Sequence, residues 1–525
     1  MAKTGGLQLP PPYKGQNDQF PAFALSNPYC VKMLNFNNKK GSINLRQGNK
    51  FWGATTGTAI ISLDLSSYTS GTSALFMLID KNTGLVWYDI SAAGVVTSVH
   101  TLGTEAGVAF PVYFNNYLFY FGNSALSVTG TGPQYFNGTT WGTAAYTWPA
   151  NFNPYGGNVY KNRGYFLEDD SAAYVYTEVD AISGVTTKVD LSSVLSTRAQ
   201  LYIIRSISLS EGVTQQNVQA FCFSSGEILV YSGSYPNSAN WELIARLQIS
   251  KPIFNNSVVD AKGDSFILTQ SEILSLRNIF ARGYSQEKAD GIGAAIKNRW
   301  TQIIKAYFDA GGTTSLYIKG VYDEANDRLV ISLPNYVDPV SSAIVANTAF
   351  QLIYDFTLQA WYEHIQTDTN ITQATSACYF RNKVFYCTHN AARNSAFSAQ
   401  IEGATTWLDD QLDGSGTNPI AFDLISAPHP LSKFGVTLAS GLEAIMKTDM
   451  YSAVNFTLIG DLGAVSNGPQ LSNGNGSNMS KILANVGIEA NAIQYQISGN
   501  SVSSSVGLEL HATNLWVSQA EGLAR

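Results

Sequence analysis

The sequence predicts a mainly β protein: an irregular β-propeller of about six to eight blades, a second β platform domain, and one inserted long helix. Three observations predict it. Between residues 56 and 407, short runs rich in Val, Ile, Tyr and Phe alternate with Gly, Asn, Ser and Asp turns, the pattern of antiparallel meanders. Within residues 221–276 two meanders follow directly on each other. Phe221, Phe223 and Ile228 to Tyr231 flank a turn at Ser225-Gly226. Tyr235 to Ser238 turns into Trp241, Leu243, Ile244, Leu247 and Ile249, and Gly263-Asp264 turns into Phe266. Serial four-stranded units of about 40–50 residues build radial architectures. Finally, helical spacing of apolar residues is convincing in one stretch only, residues 285–310.

Residues 1–20 are polar and Pro-rich, with Pro10, Pro11, Pro12 and Tyr13 in succession. They read as an extended arm, either a loose tail or a segment that docks on a neighbouring subunit. Residues 21–55 read as N-terminal strands that complete the platform domain. Lys39, Lys40 and Arg46, with Lys50, are the nearest approach to a basic cluster, and they suit a docking face better than a nucleic-acid reader.

Residues 56–424 form the propeller-like domain, with hairpin turns at 82–84, 115–116, 324–327, 357–359 and 381–382. Their strands alternate Tyr and Phe with polar residues, as half-buried antiparallel strands require. In the helical insertion, 285–310, Ile292, Ile296, Trp300, Ile303, Ile304 and Tyr307 share one face, Ser285 can cap the start and Gly311-Gly312 ends it. Such a helix packs across a sheet or against a partner subunit. Residues 425–525 read as the C-terminal platform domain. Within it, residues 463–480 have no apolar anchor and read as a mobile loop. Asn467, Asn473, Asn475 and Asn478 mark this loop as a gate or a partner contact.

Charged residues make up 13% and aromatic residues 12% of the chain, a balance that fits a rigid scaffold and excludes a disordered chain. The net charge of −7 is unevenly placed. Residues 1–50 hold seven Lys or Arg and one acid, whereas residues 401–525 hold eleven acids and four bases. Two readings follow: the ends pair with each other, or the acidic part lines a passage along which DNA slides because like charge repels phosphate. The four cysteines, Cys30, Cys222, Cys378 and Cys387, form no CxxC pair and read as buried thiols. There is no signal-peptide core and no apolar run of about 18 residues, so the chain is expected to be made in a cytosol with no membrane segment.

Chemistry is sparse. Five histidines are scattered, with no H-E-x-x-H, no G-x-S-x-G and no Walker A loop, so no catalytic residue, metal ligand or cofactor site is assigned. Asp409-x-Gln411-x-Asp413-Gly414 imitates the start of a calcium loop but carries Ile420 where a bidentate Glu belongs. Glu168-Asp169-Asp170 and Asp323-Glu324 are the candidate carboxylate pairs of a glycoside hydrolase, although hairpin turns are ordinary places for acids. The chain reads as a non-enzyme.

Residues 221–276 also resemble the central region of a known family. The segment around Tyr29, Leu34-Asn35, Gly41 and Leu45-Arg46-Gln47-Gly48 resembles its opening, and residues 506–525 its closing strands. The family is the tail nozzle, or tail tubular, proteins of short-tailed bacteriophages, related to packaged-DNA-stabilisation components. The resemblance implies a structural virion protein: a homo-hexameric ring below the portal and adaptor proteins, touching tail fibre or other tail proteins. Genomic DNA would be retained by the ring and passed at ejection without sequence-specific binding. The location implied is the virion tail, after synthesis in the host cytoplasm. The alternative is a glycan-binding or glycan-cleaving propeller with Trp and Tyr platforms; a trimeric tail fibre would need a repetitive shaft that the sequence lacks.

Overall fold

The computed structural model describes residues 4–519 apart from 20–23, 27, 55–64, 71–72, 81–84, 91–95, 104–109, 122–133, 212–213, 256, 283–290, 312–317, 368–372, 381, 391–392, 401–407, 411–416, 431–436, 448–453, 462–464, 467–469, 474–478 and 502–507. Five four-stranded antiparallel sheets, one three-stranded sheet and the leading four strands of a ten-stranded sheet give seven meanders among the described residues. The first strands of most neighbouring meanders lie side by side. Phe110–Phe114 sits against Pro154–Tyr160, and Pro154–Tyr160 against Leu201–Glu211. Lys319–Asp323 lies between Val258–Ala261 and Gln373–Phe380. Gln373–Phe380 in turn meets Leu65–Ser70, the first strand of the first meander, and this contact returns the series to its start. Among the described residues the strand topology is that of a β-propeller with seven blades. Asn49–Ala54 pairs with Arg393–Gln400 as the outer strand of the seventh blade, so backbone hydrogen bonds close the ring.

Turn chemistry sets the strand register. Asn115 and Asn116 have φ of 48° and 64° and join Phe110–Phe114 to Tyr117–Phe121, and Lys161 and Asn162, at 47° and 57°, do the same for Pro154–Tyr160 and Arg163–Glu168. Two successive left-handed residues make the turn whose twist matches the flanking strands, and Asn tolerates that conformation because its amide bonds locally. The Ser225-Gly226 turn needs glycine outright: φ is +86° and an added Cβ would lie 2.2 Å from the Ile249 carbonyl oxygen.

The fifth blade has three strands, Val258–Ala261, Asp264–Leu268 and Ile273–Ser275, and runs straight into helix α1, Leu276–Arg282. The inserted helix, α2, is Lys297–Asp309, preceded by a 3-10 turn at Ala294–Ile296. The expected continuous helix of 285–310 is therefore interrupted before Lys297, and Ser285, with residues 283–290, lies outside the described residues. Gly291 and Gly293 press on the third strand of the blade: an added Cβ would meet the Ile273 carbonyl oxygen at 2.5 Å and the Ile273 nitrogen at 2.9 Å. The apolar spacing thus runs ahead of the helix. Trp300, Ile303, Ile304 and Tyr307 are buried between blade five (Phe266, Leu268, Ile273) and blade six (Leu329, Ile331, Phe350). Trp300 Nε1 donates to the Thr269 carbonyl at 2.8 Å, so the indole is buried without an orphan donor.

The second domain is a two-sheet sandwich. One sheet orders Phe36–Lys39, Ser42–Leu45, Glu509–Gln519, Thr437–Lys447, Met479–Ala490 and Gln470–Asn473, with Thr4–Leu9 also on Glu509–Gln519. The other orders Cys30–Leu34, Ala421–Ser426, Ala492–Asn500, Val454–Gly460 and Val465–Ser466. Alternate residues from both sheets, including Met33, Phe36, Phe422, Leu442, Phe456, Tyr495 and Leu515, fill the core between them. The second sheet is one with blade six: Cys30–Leu34 pairs in parallel with Ala360–Thr367 at Leu34 and Glu363, and with His429–Pro430, which pairs Ala492–Asn500 off the main path, the sheet has ten strands.

Strand pairing moves two boundaries. Asn49–Ala54 belongs to the propeller, not to a 21–55 platform segment, and Ala421–Ser426 belongs to the sandwich, not to the propeller of 56–424. The arm of residues 1–20 docks on its own chain: Thr4–Leu9 runs antiparallel to Glu509–Gln519, from Thr4 opposite Ser518 to Leu9 opposite Thr513. The 463–480 run is partly strand, since backbone pairing needs no apolar anchor; Val465–Ser466 pairs with Val454–Gly460, and Gln470–Asn473 with Met479–Ala490.

Candidate functional site at the propeller–sandwich junction

The strongest polar chemistry among the described residues lies where the two domains join. Arg46 follows the Ser42–Leu45 strand and is fully buried. Its guanidinium donates to both carboxylate oxygens of Asp409, at 2.7 and 2.5 Å, to Asn35 Oδ1 at 2.9 Å, and to the carbonyls of Gln47 and Ile365 at 3.0 and 2.8 Å. All five donors of the fork are thus engaged. Asp409 Oδ1 also accepts the Asn49 backbone amide at 2.8 Å, which fixes the start of the closing strand. The cluster ties sandwich, blade six and blade seven together.

A second buried pair lies on blade six. Arg299, on the apolar face of α2, donates to Glu363 at 2.8 and 3.2 Å and to the Val337 carbonyl at 2.6 Å. Burial works against its charge, but the Glu363 carboxylate outweighs that and holds the guanidinium above its usual pKa. Asp18 of the arm accepts the backbone amides of Asn298 and Arg299 at the start of α2, capping a helix 280 residues away. Gln16 donates its backbone N–H to the Trp361 carbonyl, Cys30 to Gly15 and Asn17 to Cys30, so residues 15–18 are held on three sides.

Among the described residues, three ion pairs join the basic first 50 residues to the acidic C-terminal part: Lys32 with Asp423 at 2.7 Å, Lys39 with Glu509 at 3.8 Å, and Arg46 with Asp409.

The interface candidates separate. Arg46 is internal and cannot present a docking face; this is a correction, and its cause is the buried Asp409 partner. Pro11 and Pro12 are buried, Tyr13 is half-buried, and Pro10, Lys39 and Lys40 are exposed. Asn473 is in strand, opposite Ser480, while Asn467, Asn475 and Asn478 lie outside the described residues. The candidate carboxylates do not converge. Glu168 on blade three is ion-paired with Lys188 at 2.7 Å, and Asp323 on blade six accepts Asn326 Nδ2 at 2.8 Å. Burial raises the pKa of Asp323, and raises that of Asp169, next to Glu168, with help from Asp170. A cleft between blades six and seven, lined by Asp323, Arg328, Gln351, Lys383 and Tyr386, encloses about 20 Å³, room for about one water. No three His, Cys, Asp or Glu residues gather as metal ligands among the described residues. Cys30, Cys222 and Cys378 are buried free thiols, and burial pushes Cys222 up to about 12.

The sequence reading missed Asp18, Arg299, Glu363 and Asp409 as one structural system. The available signal was charge out of place: an Arg on the apolar face of a helix, and a Glu inside the run Ala360-Trp361-Tyr362-Glu363.

No protein-family profile matches the chain. No curated protein is significantly similar to it. Among solved structures, the WD40 β-propeller domain of Doa1 aligns with a TM-score of 0.40 and 10% identity, over 68% of this chain and 98% of that one. BBS1N in complex with ARL6DN aligns with a TM-score of 0.40 and 8% identity, over 69% and 99%. The fold described above rests on the strand pairing of this chain itself.

Proposed function

We propose that this chain is a structural virion component, the tail nozzle of a short-tailed bacteriophage. The observation that carries the reading is the junction. A propeller and a sandwich share one ten-stranded sheet, and the buried ion pairs Arg46–Asp409 and Arg299–Glu363 lock segments distant in sequence. That is the construction of a load-bearing block rather than of a ligand-binding hinge. The resemblance to nozzle proteins, concentrated in residues 221–276 of blades four and five, supports this reading.

In this reading six copies form a ring below the portal and adaptor, each using two different faces, since a closed ring of one chain requires heterologous contacts. Packaged DNA is held above the ring and passes through it at ejection, without base recognition. Exposed Lys39, Lys40 and Pro10 are the surviving candidates for contacts to neighbours or to other tail proteins. Genome retention tests the proposal. Particles assembled without this chain should lose packaged DNA to nuclease, and adding the purified chain should restore protection; equal protection with and without it would overturn the reading.

A further inference from the structure

The cleft between blades six and seven is where buried polar groups outnumber their partners. Asp323 ends the first strand of blade six and is 6% exposed. Its Oδ2 accepts Asn326 Nδ2 at 2.8 Å, whereas its Oδ1 accepts no hydrogen bond among the described residues. Asp323 lines the cavity of about 20 Å³ together with Gln351 of blade six and with Asn49, Lys383 and Tyr386 of blade seven. Lys383 lines it without pairing with Asp323, and Arg328 lies 3.7 Å from Asp355 on the next strand.

The shortage continues along the same face. Register places Ser332 opposite Gln351 and Gln351 opposite His364, so these three side chains share one side of the sheet. Ser332 and His364 are buried, and neither Ser332 Oγ nor His364 Nε2 has a hydrogen-bond partner among the described residues. His364 donates its other ring nitrogen to the Phe36 carbonyl, and burial holds its pKa well below the usual histidine range, so Nε2 is a bare acceptor. Asp323 Oδ1 is an acceptor as well, and Ser332 Oγ takes either role. On blade seven, Asn49 Nδ2 and the Tyr386 hydroxyl are both directed at Gln366 Oε1. The cleft is therefore short of a donor, and a buried carboxylate oxygen left without one is costly.

We propose that this cavity is a binding site for one water-sized hydrogen-bond donor, a water molecule or an ammonium ion, that bridges Asp323 Oδ1 to blade seven. The cavity exceeds the roughly 10–15 Å³ that a water requires, and its walls are polar on both blades. The ligand donates to Asp323 Oδ1 and meets the Gln351 amide, Asn49 and Tyr386 around it. Asn49 begins Asn49–Ala54, the strand that closes the propeller, so the ligand ties blade six to the closing strand.

High-resolution crystal structures of the full chain, grown once from sodium salts and once from ammonium salts, test this. A single density peak is expected in the cleft, about 2.5–3.2 Å from Asp323 Oδ1. Asp323→Leu, which removes the acceptor and fills the space, should lose the peak; Gln351→Phe, which fills it from the neighbouring strand, serves if the leucine variant does not fold. Thermal unfolding in ammonium chloride and in sodium chloride at equal ionic strength separates the two sources. Equal Tm with a peak in both crystals identifies water, and a higher Tm in ammonium that Asp323→Asn abolishes identifies ammonium. No peak in either crystal, or a peak that survives the cavity-filling variant unchanged, would overturn the proposal.

Discussion

Arg46 is the residue on which most of the junction converges. Removing one partner of a buried pair leaves the other charge stranded, so Arg46→Ala should cost about 3–5 kcal/mol in denaturant unfolding. Replacing both Arg46 and Asp409 by apolar residues of similar volume should cost much less, because no orphan charge remains. His429 gives a pH test. It is buried and stacked on Tyr495 at 5.7 Å, and burial lowers its pKa to about 4. A histidine held neutral in the fold contributes stability above its free value near 6.5, and that contribution is lost as pH falls from there through about 4. Wild-type protein should therefore lose up to about 3 kcal/mol over that window through this group, and His429→Phe should lose correspondingly less. Both residues were visible in the sequence, but their roles were not. Arg46 next to Lys39 and Lys40 reads as surface charge, and nothing within 360 positions of it announces that Asp409 faces it.

Helix α2 and the arm that caps it belong to the element scale. Trp300 is fully buried and its indole N–H is satisfied, so Trp300→Ala should cost about 3–5 kcal/mol through the cavity and the unpaired Thr269 carbonyl. Gly15 has φ +72° and an added Cβ would lie 2.3 Å from the Trp361 carbonyl oxygen. Gly15→Ala should consequently raise hydrogen exchange in residues 13–19 and at the start of α2 while leaving blades three and four unchanged. The helix face was legible because Trp300, Ile303, Ile304 and Tyr307 keep their period. Its start was not, because Ile292 and Ile296 continue the same spacing through a glycine-interrupted approach and the cap comes from Asp18. Hairpins were legible where Asn-Asn, Ser-Gly and Gly-Asp turns punctuate aromatic strands. Strands without such punctuation, Gln470–Asn473 above all, were hidden in a polar run and are set by the partner strand.

At the scale of the whole molecule, the propeller is closed by Asn49–Ala54 and fused to the sandwich through blade six. A meander count was within reach of the sequence as a range, because each blade repeats strand and turn signals. The ring closure was not, because a strand before residue 55 pairs with one near residue 400 and neither carries a mark of the other. Among the described residues, three ion pairs between the ends neutralise part of the acidic charge of the C-terminal part. The most direct test is negative-stain microscopy with light scattering on the purified chain, alone and mixed with a portal–adaptor complex. The account predicts six-fold rings, alone or once the adaptor is present, with a mass of six chains. A monomer that ignores the adaptor would contradict it.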